Sequence, residues 1–414
     1  MNLRPALIVF VVALLVRLGV VLFMLPQLRP DQNPDLYREL GRNMALGKGF
    51  VAAAPDGREL PDINRPPGYP AFLAGLMLIF GDRLGVLLAA NCVLAAIGCA
   101  LTVVMASRWL RPGAAMLAGL ITALEPNSVM RSCLVMAEAL FTLFLLVGVC
   151  ALVWRREKNS AWCLCGVVWA LATLCRAIGL WLPLVVLAVA FLWRMRWRPV
   201  ALFLIGFLPL IGLWMARNAS LTGHWFYSLS AQNSTVTGWA ARLEAERTGV
   251  STDVARARLL ERTGSLEFFD GREAFEKTQR EQAKVIYETL GAKPWRRLPE
   301  IVKGTAETLL GPGKRTLDAF LRDLQPTPRW RLMAGTGYML ALVVLAICGS
   351  IRHTRALAVV TVLVLYFLAL SVCSEGNSRY RYPIIPLLSV LAVAACARTL
   401  EPGTDATKPL HHGN

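Results

Sequence analysis

About ten apolar runs constrain this chain more than any other feature, at residues 5–25, 84–106, 114–124, 137–153, 162–174, 178–193, 200–215, 332–350, 356–373 and 384–397. The longest reach the roughly 20 residues that a helix needs to cross a bilayer. Their apolar residues are continuous rather than alternating, which excludes a transmembrane barrel. Lipid offers no water to backbone N–H and C=O groups, so runs of this kind are helical. The expected fold is an all-α polytopic membrane protein with about ten transmembrane helices. Composition agrees: 56% of residues are hydrophobic, 17% are charged and mean hydropathy is +0.50. A soluble domain carries about a quarter charged residues. The stretch 69–80 is apolar but short, and reads as a re-entrant or interfacial helix.

The formal net charge is +17. Many of the bases sit in short loops beside apolar runs, at 108–111, 155–158, 194–198 and 352–355. Basic loops stay in the cytoplasm. Both termini are therefore expected there, in a bacterial cytoplasmic membrane, with the loop after the first run on the outside. No run of interleaved basic and aromatic residues lies outside the apolar segments, so no nucleic-acid partner is expected. The first run has no small-residue cleavage site before Pro26 and reads as an uncleaved helix. All ten cysteines lie in or beside apolar runs, which excludes a disulfide framework in the long polar loop. Cys163 and Cys165 lack companion ligands for zinc.

The expected organisation is a membrane core at 1–216 containing an external loop at 26–70, an extracytoplasmic segment at 217–330, C-terminal spans at 331–400 and a cytoplasmic tail at 401–414. In the large segment, 244–262 and 273–290 read as helices, and 293–310 as an amphipathic interfacial helix stopped by Gly311-Pro312-Gly313. No nucleotide-binding glycine pattern is present. The two halves show no internal repeat, which counts against an inverted-repeat transporter.

The polar loop from Pro30 to Pro70 concentrates the candidate chemistry. Asn33-Pro34-Asp35 reads as a helix start, with a cap, a proline at the first position and an acid in the first turn. Leu36, Leu40 and Met44 share one face, and Gly47 and Gly49 end the helix. Such a short amphipathic helix lies flat on the outer membrane surface. From spacing alone, Asp35 either complements the helix dipole or is a reactive carboxylate. Arg17 lies inside the first run, where a charge needs a partner, a polar cavity or a route to the interface. Glu138 begins an otherwise apolar helix and is either a second active-site acid or half of an ion pair with Arg131 or Arg176. Glu125, before Pro126, has a similar position.

The Asp35-x-Tyr37 pair, the G-K-G-F stretch and the R-P-P-G-Y-P turn together resemble the first external loop of GT-C fold glycosyltransferases, in the branch of protein O-mannosyltransferases and aminoarabinose transferases. The resemblance extends through Ala137–Phe141, Leu174–Ala177, Trp214–Asn218 and Ser378–Pro383, and so covers residues 1 to 400. It implies a sugar donor on a polyprenyl phosphate, a glycan, lipid or protein acceptor, and inverting transfer outside the cytoplasm. Asp35 would be the general base. Glu138 would be a second acid. Arg379 and Arg381, with Arg65, Arg176 and Arg217, would meet the lipid phosphate, and Tyr37 and Tyr69 would line the substrate. For Arg379 and Arg381 the residues alone also allow interfacial anchoring beside Tyr380 and Tyr382. Some relatives carry an acid just before the basic residue of the Pro-Pro turn, where this chain has Asn64. A divalent ion is used by some members and not others. The residues supply no ligand set, so no metal or other cofactor is expected. A transporter or flippase, or an inactive scaffold, would use the same helices. A transporter concentrates polar residues at the midplane, whereas here they gather at helix ends.

Overall fold

The structure is a computed structural model and describes residues 3–27, 36–54, 56–291, 298–311, 329–354, 356–371 and 378–397. Chain order gives helix α1 (Arg4–Met24), α2 (Tyr37–Ala45), strands β1 (Val51–Ala53) and β2 (Glu59–Pro61), then α3 (Gly68–Phe80), α4 (Leu84–Ala106), α5 (Pro112–Leu124), α6 (Pro126–Met130), α7 (Glu138–Arg155), α8 (Asn159–Cys175), α9 (Leu182–Leu192) and α10 (Arg198–Thr222). The large segment holds α11 (Ser230–Ser234), α12 (Ala241–Thr248), α13 (Thr252–Thr263), α14 (Arg272–Leu290) and α15 (Leu298–Leu310). The last helices are α16 (Arg329–Arg352), α17 (Ala358–Ser371) and α18 (Ile385–Cys396).

Among the described residues, five helices are long and apolar enough to cross a membrane, and five shorter apolar helices of 10–17 residues accompany them. A 13-residue helix such as α3 or α5 is roughly 20 Å long, less than the ~30 Å of hydrocarbon. The protein is a multi-pass membrane protein built on helix packing. Its core is one cluster drawn from α1, α3 to α10 and α16 to α18. Small residues let backbones meet. A Cβ on Gly166 of α8 would lie 2.1 Å from Phe203 O of α10, and one on Gly206 of α10 would lie 2.3 Å from Cys163 O of α8. Neither position tolerates a side chain, which explains why α8 and α10 run together so closely.

Several boundaries differ from the sequence-based expectation. α10 continues to Thr222 instead of ending near Met215, because Asn218 turns its side chain onto Phe226 O and Tyr227 O. The expected helix 244–262 is broken at Gly249, which adopts φ +71° and caps α12. α14 matches its expectation within a residue. Of the interfacial helix, Leu298–Leu310 is helical, and residues 292–297 lie outside the described residues. The helix of the first loop begins at Tyr37, after Leu36 at φ +55°. Tyr37, Leu40 and Gly41 are buried, and a Cβ on Gly41 would lie 2.9 Å from Leu73 Cβ. The helix therefore turns its apolar face onto α3 rather than onto lipid. Arg38 Nε reaches Asp82 at 2.8 Å, and Arg42 joins the same carboxylate. Burial pushes the Asp82 carboxyl up, but the two guanidinium groups outweigh it and leave it below the usual range.

The hairpin of β1 and β2 is too short to read from sequence. It pairs antiparallel with Ala52 opposite Leu60. Its second strand runs on into contact with the large segment. Asp62 forms a bridge with Phe268, Ile63 N donates to Glu267 O at 3.1 Å and Phe269 N donates to Pro61 O at 2.9 Å. Ile63, Leu229, Leu266 and Phe275 bury one another there. The first loop and the large segment therefore pack together as one layer.

Candidate active site at one end of the bundle

Proline decides where α5 stops. Pro126 keeps Glu125 extended, at ψ 117°, and starts α6. Glu125 caps α6, accepting from Ser128 N and Ser128 Oγ, each at 2.5 Å. The carbonyls ending α5 need donors. Arg17 supplies one: its Nη1 donates to Ala123 O at 2.8 Å and to Ala13 O at 3.3 Å. The arginine inside the first span is thus buried and tied to a helix end, and does not reach the interface.

Glu138 opens α7, where the helix dipole favours a carboxylate. It is 2% exposed. Its Oε1 meets Arg176 Nη1 at 2.5 Å and also accepts from Arg379 Nε. Its Oε2 is buried with no hydrogen-bond partner among the described residues. Arg176 ends α8, and Arg379 lies in the turn before α18. Arg131 stands close enough to feel Glu138, Glu125, Arg379 and Arg381. Burial pulls its guanidinium down to about 10, so it remains a cation at neutral pH. A small cavity is lined by Asn91, Arg131, Ser132, Glu138 and Tyr382.

The other walls come from α3 and α4. Asn91 Nδ2 donates to Tyr69 Oη at 2.8 Å and to Leu134 O at 3.1 Å. Tyr37 packs edge-on against Tyr69 with ring centroids 5.3 Å apart. The arginine of the α8 end lies 5.9 Å over the ring of Tyr380. Gly68 brings the Pro-Pro turn here: a Cβ on it would lie 2.7 Å from Leu174 O, just before Arg176. Only glycine allows that approach.

A second cluster surrounds Asp62. Its Oδ1 accepts from the backbone N of Asn64 at 2.9 Å and of Arg65 at 2.7 Å, and its Oδ2 meets Arg65 Nη1 at 2.7 Å. Arg65 also lies 3.5 Å from Glu267. Arg217 donates to Asp62 O at 2.8 Å and stacks over Phe50 and Trp214. Burial pushes the Asp62 carboxyl up against the pull of Arg65 and the two amides. Asn64 precedes Arg65 in the chain, and the acid that the turn brings to Arg65 is Asp62, three residues earlier. Asp62 does not stand out in the sequence, because the turn and not adjacency brings it to Arg65.

The structure thus brings Glu138, Arg176 and Arg379 together, with Tyr69 and Tyr37 alongside. Arg65 and Arg217 belong to the Asp62 cluster. Arg381 forms a third group: its Nη2 meets Glu125 at 3.1 Å, and its Nη1 donates to Leu309 O at 3.3 Å and to Gly311 O, at the end of α15. Asp35 lies outside the described residues. Among the described residues no group of three or more His, Cys, Asp or Glu stands close enough to hold a metal.

Comparison with known proteins fits this architecture. The oligosaccharyltransferase AglB of Archaeoglobus fulgidus, solved with an inhibitory peptide and a dolichol-phosphate, superposes with a TM-score of 0.55 at 13% identity, over 95% of this chain and 50% of that one. The chain has a GT-C fold. An oligosaccharyltransferase of Archaeoglobus fulgidus in the apo form gives 0.54 at 13% identity, over 94% and 50%. The GT-C chain described here therefore spans about half the length of the oligosaccharyltransferase. ArnT from Cupriavidus metallidurans, bound to undecaprenyl phosphate, gives 0.44 at 17% identity, over 94% and 77%. Residues 64–216 match the family model of dolichyl-phosphate-mannose-protein mannosyltransferase, a stretch that holds Arg65, Tyr69, Glu138 and Arg176. No curated protein sequence matches the chain.

Proposed function

We propose that this protein is an integral membrane glycosyltransferase that moves a sugar from a polyprenyl-phosphate donor to an acceptor hydroxyl outside the cytoplasm. One observation carries the reading. Three guanidinium groups, those of Arg131, Arg176 and Arg379, converge on Glu138 beneath the first loop, at the polar end of an apolar bundle. Guanidinium forks suit phosphate oxygens, and a departing lipid phosphate needs such cations as negative charge builds on it. Bundle ends lacking this cluster carry the basic loops near Arg108, Arg155, Arg198 and Arg352. The positive-inside rule sets those ends, and both termini, in the cytoplasm of a bacterial inner membrane. The fold shared with AglB, a protein solved with dolichol-phosphate, supports a lipid-linked donor.

In this reading Asp35 takes the proton from the acceptor hydroxyl as its oxygen attacks the anomeric carbon. The bond from that carbon to the phosphate oxygen breaks, the electron pair leaves with the lipid phosphate, and configuration inverts. Tyr37 and Tyr69 line the sugar, and Arg65 and Arg217 hold the turn at Asp62 beside it. The test is transfer from labelled polyprenyl-phosphate sugars by detergent-purified protein. Asp35→Asn should lower the rate by about 10²–10⁴-fold, the usual worth of a general base. Transfer at the wild-type rate would remove Asp35 from the chemistry. A wild-type protein that consumes no donor across the panel would overturn the enzymatic reading and favour transport.

A further inference from the structure

Two basic loops meet at the end of the bundle away from Glu138. One, where α7 passes into α8, carries Arg155, Arg156 and Lys158; the other, where α9 passes into α10, carries Arg194, Arg196 and Arg198. Gly166 and Gly206 bring α8 and α10 together in parallel, so the loops that precede the two helices lie side by side. The Arg156 guanidinium sits 5.4 Å over the ring of Trp193, which ties the first loop to the second. Trp162 Nε1 holds the same loop by donating to Arg156 O at 2.9 Å. All six bases are exposed. Glu157 is the one acid in the two loops, and it pairs with Arg156 at 3.0 Å. Among the described residues the other five bases have no ion-pair partner. Beside them Phe191 (82% exposed), Leu192 and Trp197 also face outward.

The positive-inside rule asks only for charge in a loop. It does not ask two loops to grip each other and set their bases into one patch edged by apolar side chains. We propose that this corner binds an anionic phospholipid whose headgroup carries two phosphodiesters, one on each triad of bases, with its acyl chains along Phe191 and Leu192. Tryptophan sits at headgroup level in membranes, which sets Trp197 at the height of the phosphates. Basic pockets between membrane helices suit such headgroups, and arginine forks suit their oxygens. Joining two phosphates in one molecule makes the second contact intramolecular, so the lipid gains over two separate single-phosphate lipids. The corner lies at the opposite end of α7 and α8 from Glu138 and Arg176, so binding there is separable from sugar transfer.

A site and a diffuse positive field predict different results. Full-length protein in detergent would be mixed with tetraoleoyl cardiolipin, with dioleoyl phosphatidylglycerol at equal phosphate, or with dioleoyl phosphatidylcholine, and retained lipid counted by native mass spectrometry. One cardiolipin per protein should be held, at least about tenfold more strongly than phosphatidylglycerol. The double variant Arg156→Gln/Arg196→Gln should lose about tenfold in cardiolipin affinity. Trp193→Leu removes no charge but frees Arg156, and should lose several-fold. Trp193→Phe keeps a ring under the guanidinium and should restore most of that loss. Arg111→Gln, which removes a base from another loop at the same end, should change nothing. Equal retention of cardiolipin and phosphatidylglycerol at equal phosphate would overturn the proposal and leave only a field. So would wild-type retention by Trp193→Leu, or a loss in Arg111→Gln as large as in the double variant. Should the double variant fail to fold, the two Trp193 variants and the wild-type lipid comparison decide.

Discussion

Two of the arginine clusters among the described residues differ in how fully their acid is satisfied: the one around Asp62 is closed, and the one around Glu138 is not. Around Asp62, two acids (Asp62, Glu267) face two bases (Arg65, Arg217). Backbone amides and carbonyls satisfy most of what remains. Around Glu138, Arg176 and Arg379 share one carboxylate oxygen, and the other has no hydrogen-bond partner among the described residues. A closed network fixes geometry. A buried oxygen left unsatisfied calls for an explanation, and under the proposed function that explanation is a bound substrate.

The sharpest way to break this contrast is to open the closed cluster. Asp62→Ala leaves Arg65 buried with only the half-buried Glu267 at 3.5 Å, and breaking a buried pair costs about 3–5 kcal/mol. Thermal unfolding in detergent should show that loss. Asp62→Asn keeps an acceptor for the Asn64 and Arg65 amides and should recover part of it. If Asp62→Ala unfolds like wild type while sugar transfer disappears, the scaffold and site labels must be exchanged. Next comes Arg379→Gln. Glu138 keeps Arg176, so the fold should hold, but sugar transfer should fall by about 10²–10³-fold, as when a charge-stabilising donor is removed. Equal losses of stability and transfer would instead class this cluster with Asp62.

How far the sequence revealed these two clusters follows from how each is built. The apolar runs carry their own signal, because burial in lipid demands length and continuity at every run. Glu138 and Arg176 were legible for the same reason: each is a lone charge at the end of an apolar helix, and the structure joins them at 2.5 Å. Asp62 was not. Its importance comes from a three-residue turn and from cover by a segment some 200 residues later, at Glu267 and Phe268. Neither leaves a periodic trace. The three-residue strands at 51–53 and 59–61 are likewise too short for an alternation signal. The extension of α10 to Thr222 was hidden because Asn218, Ser220 and Thr222 read as loop residues until tertiary partners are known.

A smaller effect tests whether Tyr69 belongs with the frame or with the substrate. Its hydroxyl bonds Asn91, which keeps Leu134 O in any case. Tyr69→Phe should therefore cost about 1 kcal/mol of stability. A loss of transfer well beyond tenfold, with that small change in unfolding, would place the hydroxyl on the sugar.

The smallest expected effect concerns the outer clasp between the two loops. Arg58 holds Asp270 through two bonds, Nη1 to Oδ1 at 2.8 Å and Nη2 to Oδ2 at 2.6 Å, on an exposed surface. Hydrogen bonding by Arg58 holds the Asp270 carboxyl below its usual range. A lowered carboxyl contributes above the unfolded value, about pH 3.9, and the contribution fades as pH falls through the lowered one. Salt should weaken the same contact, because both groups face water. Hydrogen exchange corrected for intrinsic rates should then rise slightly at residues 58–60 and 269–270, in acid or in 1 M salt, against about 0.1 M at neutral pH. Arg58→Ala should show the faster exchange already at neutral pH and no further response to salt. Exchange at Asp62 itself should scarcely move, since the buried bridge to Phe268 and the Ile63–Glu267 bond remain. If salt freed Asp62 as well, the inner cluster would depend on the clasp, and the balance of its own charges would not suffice to hold it.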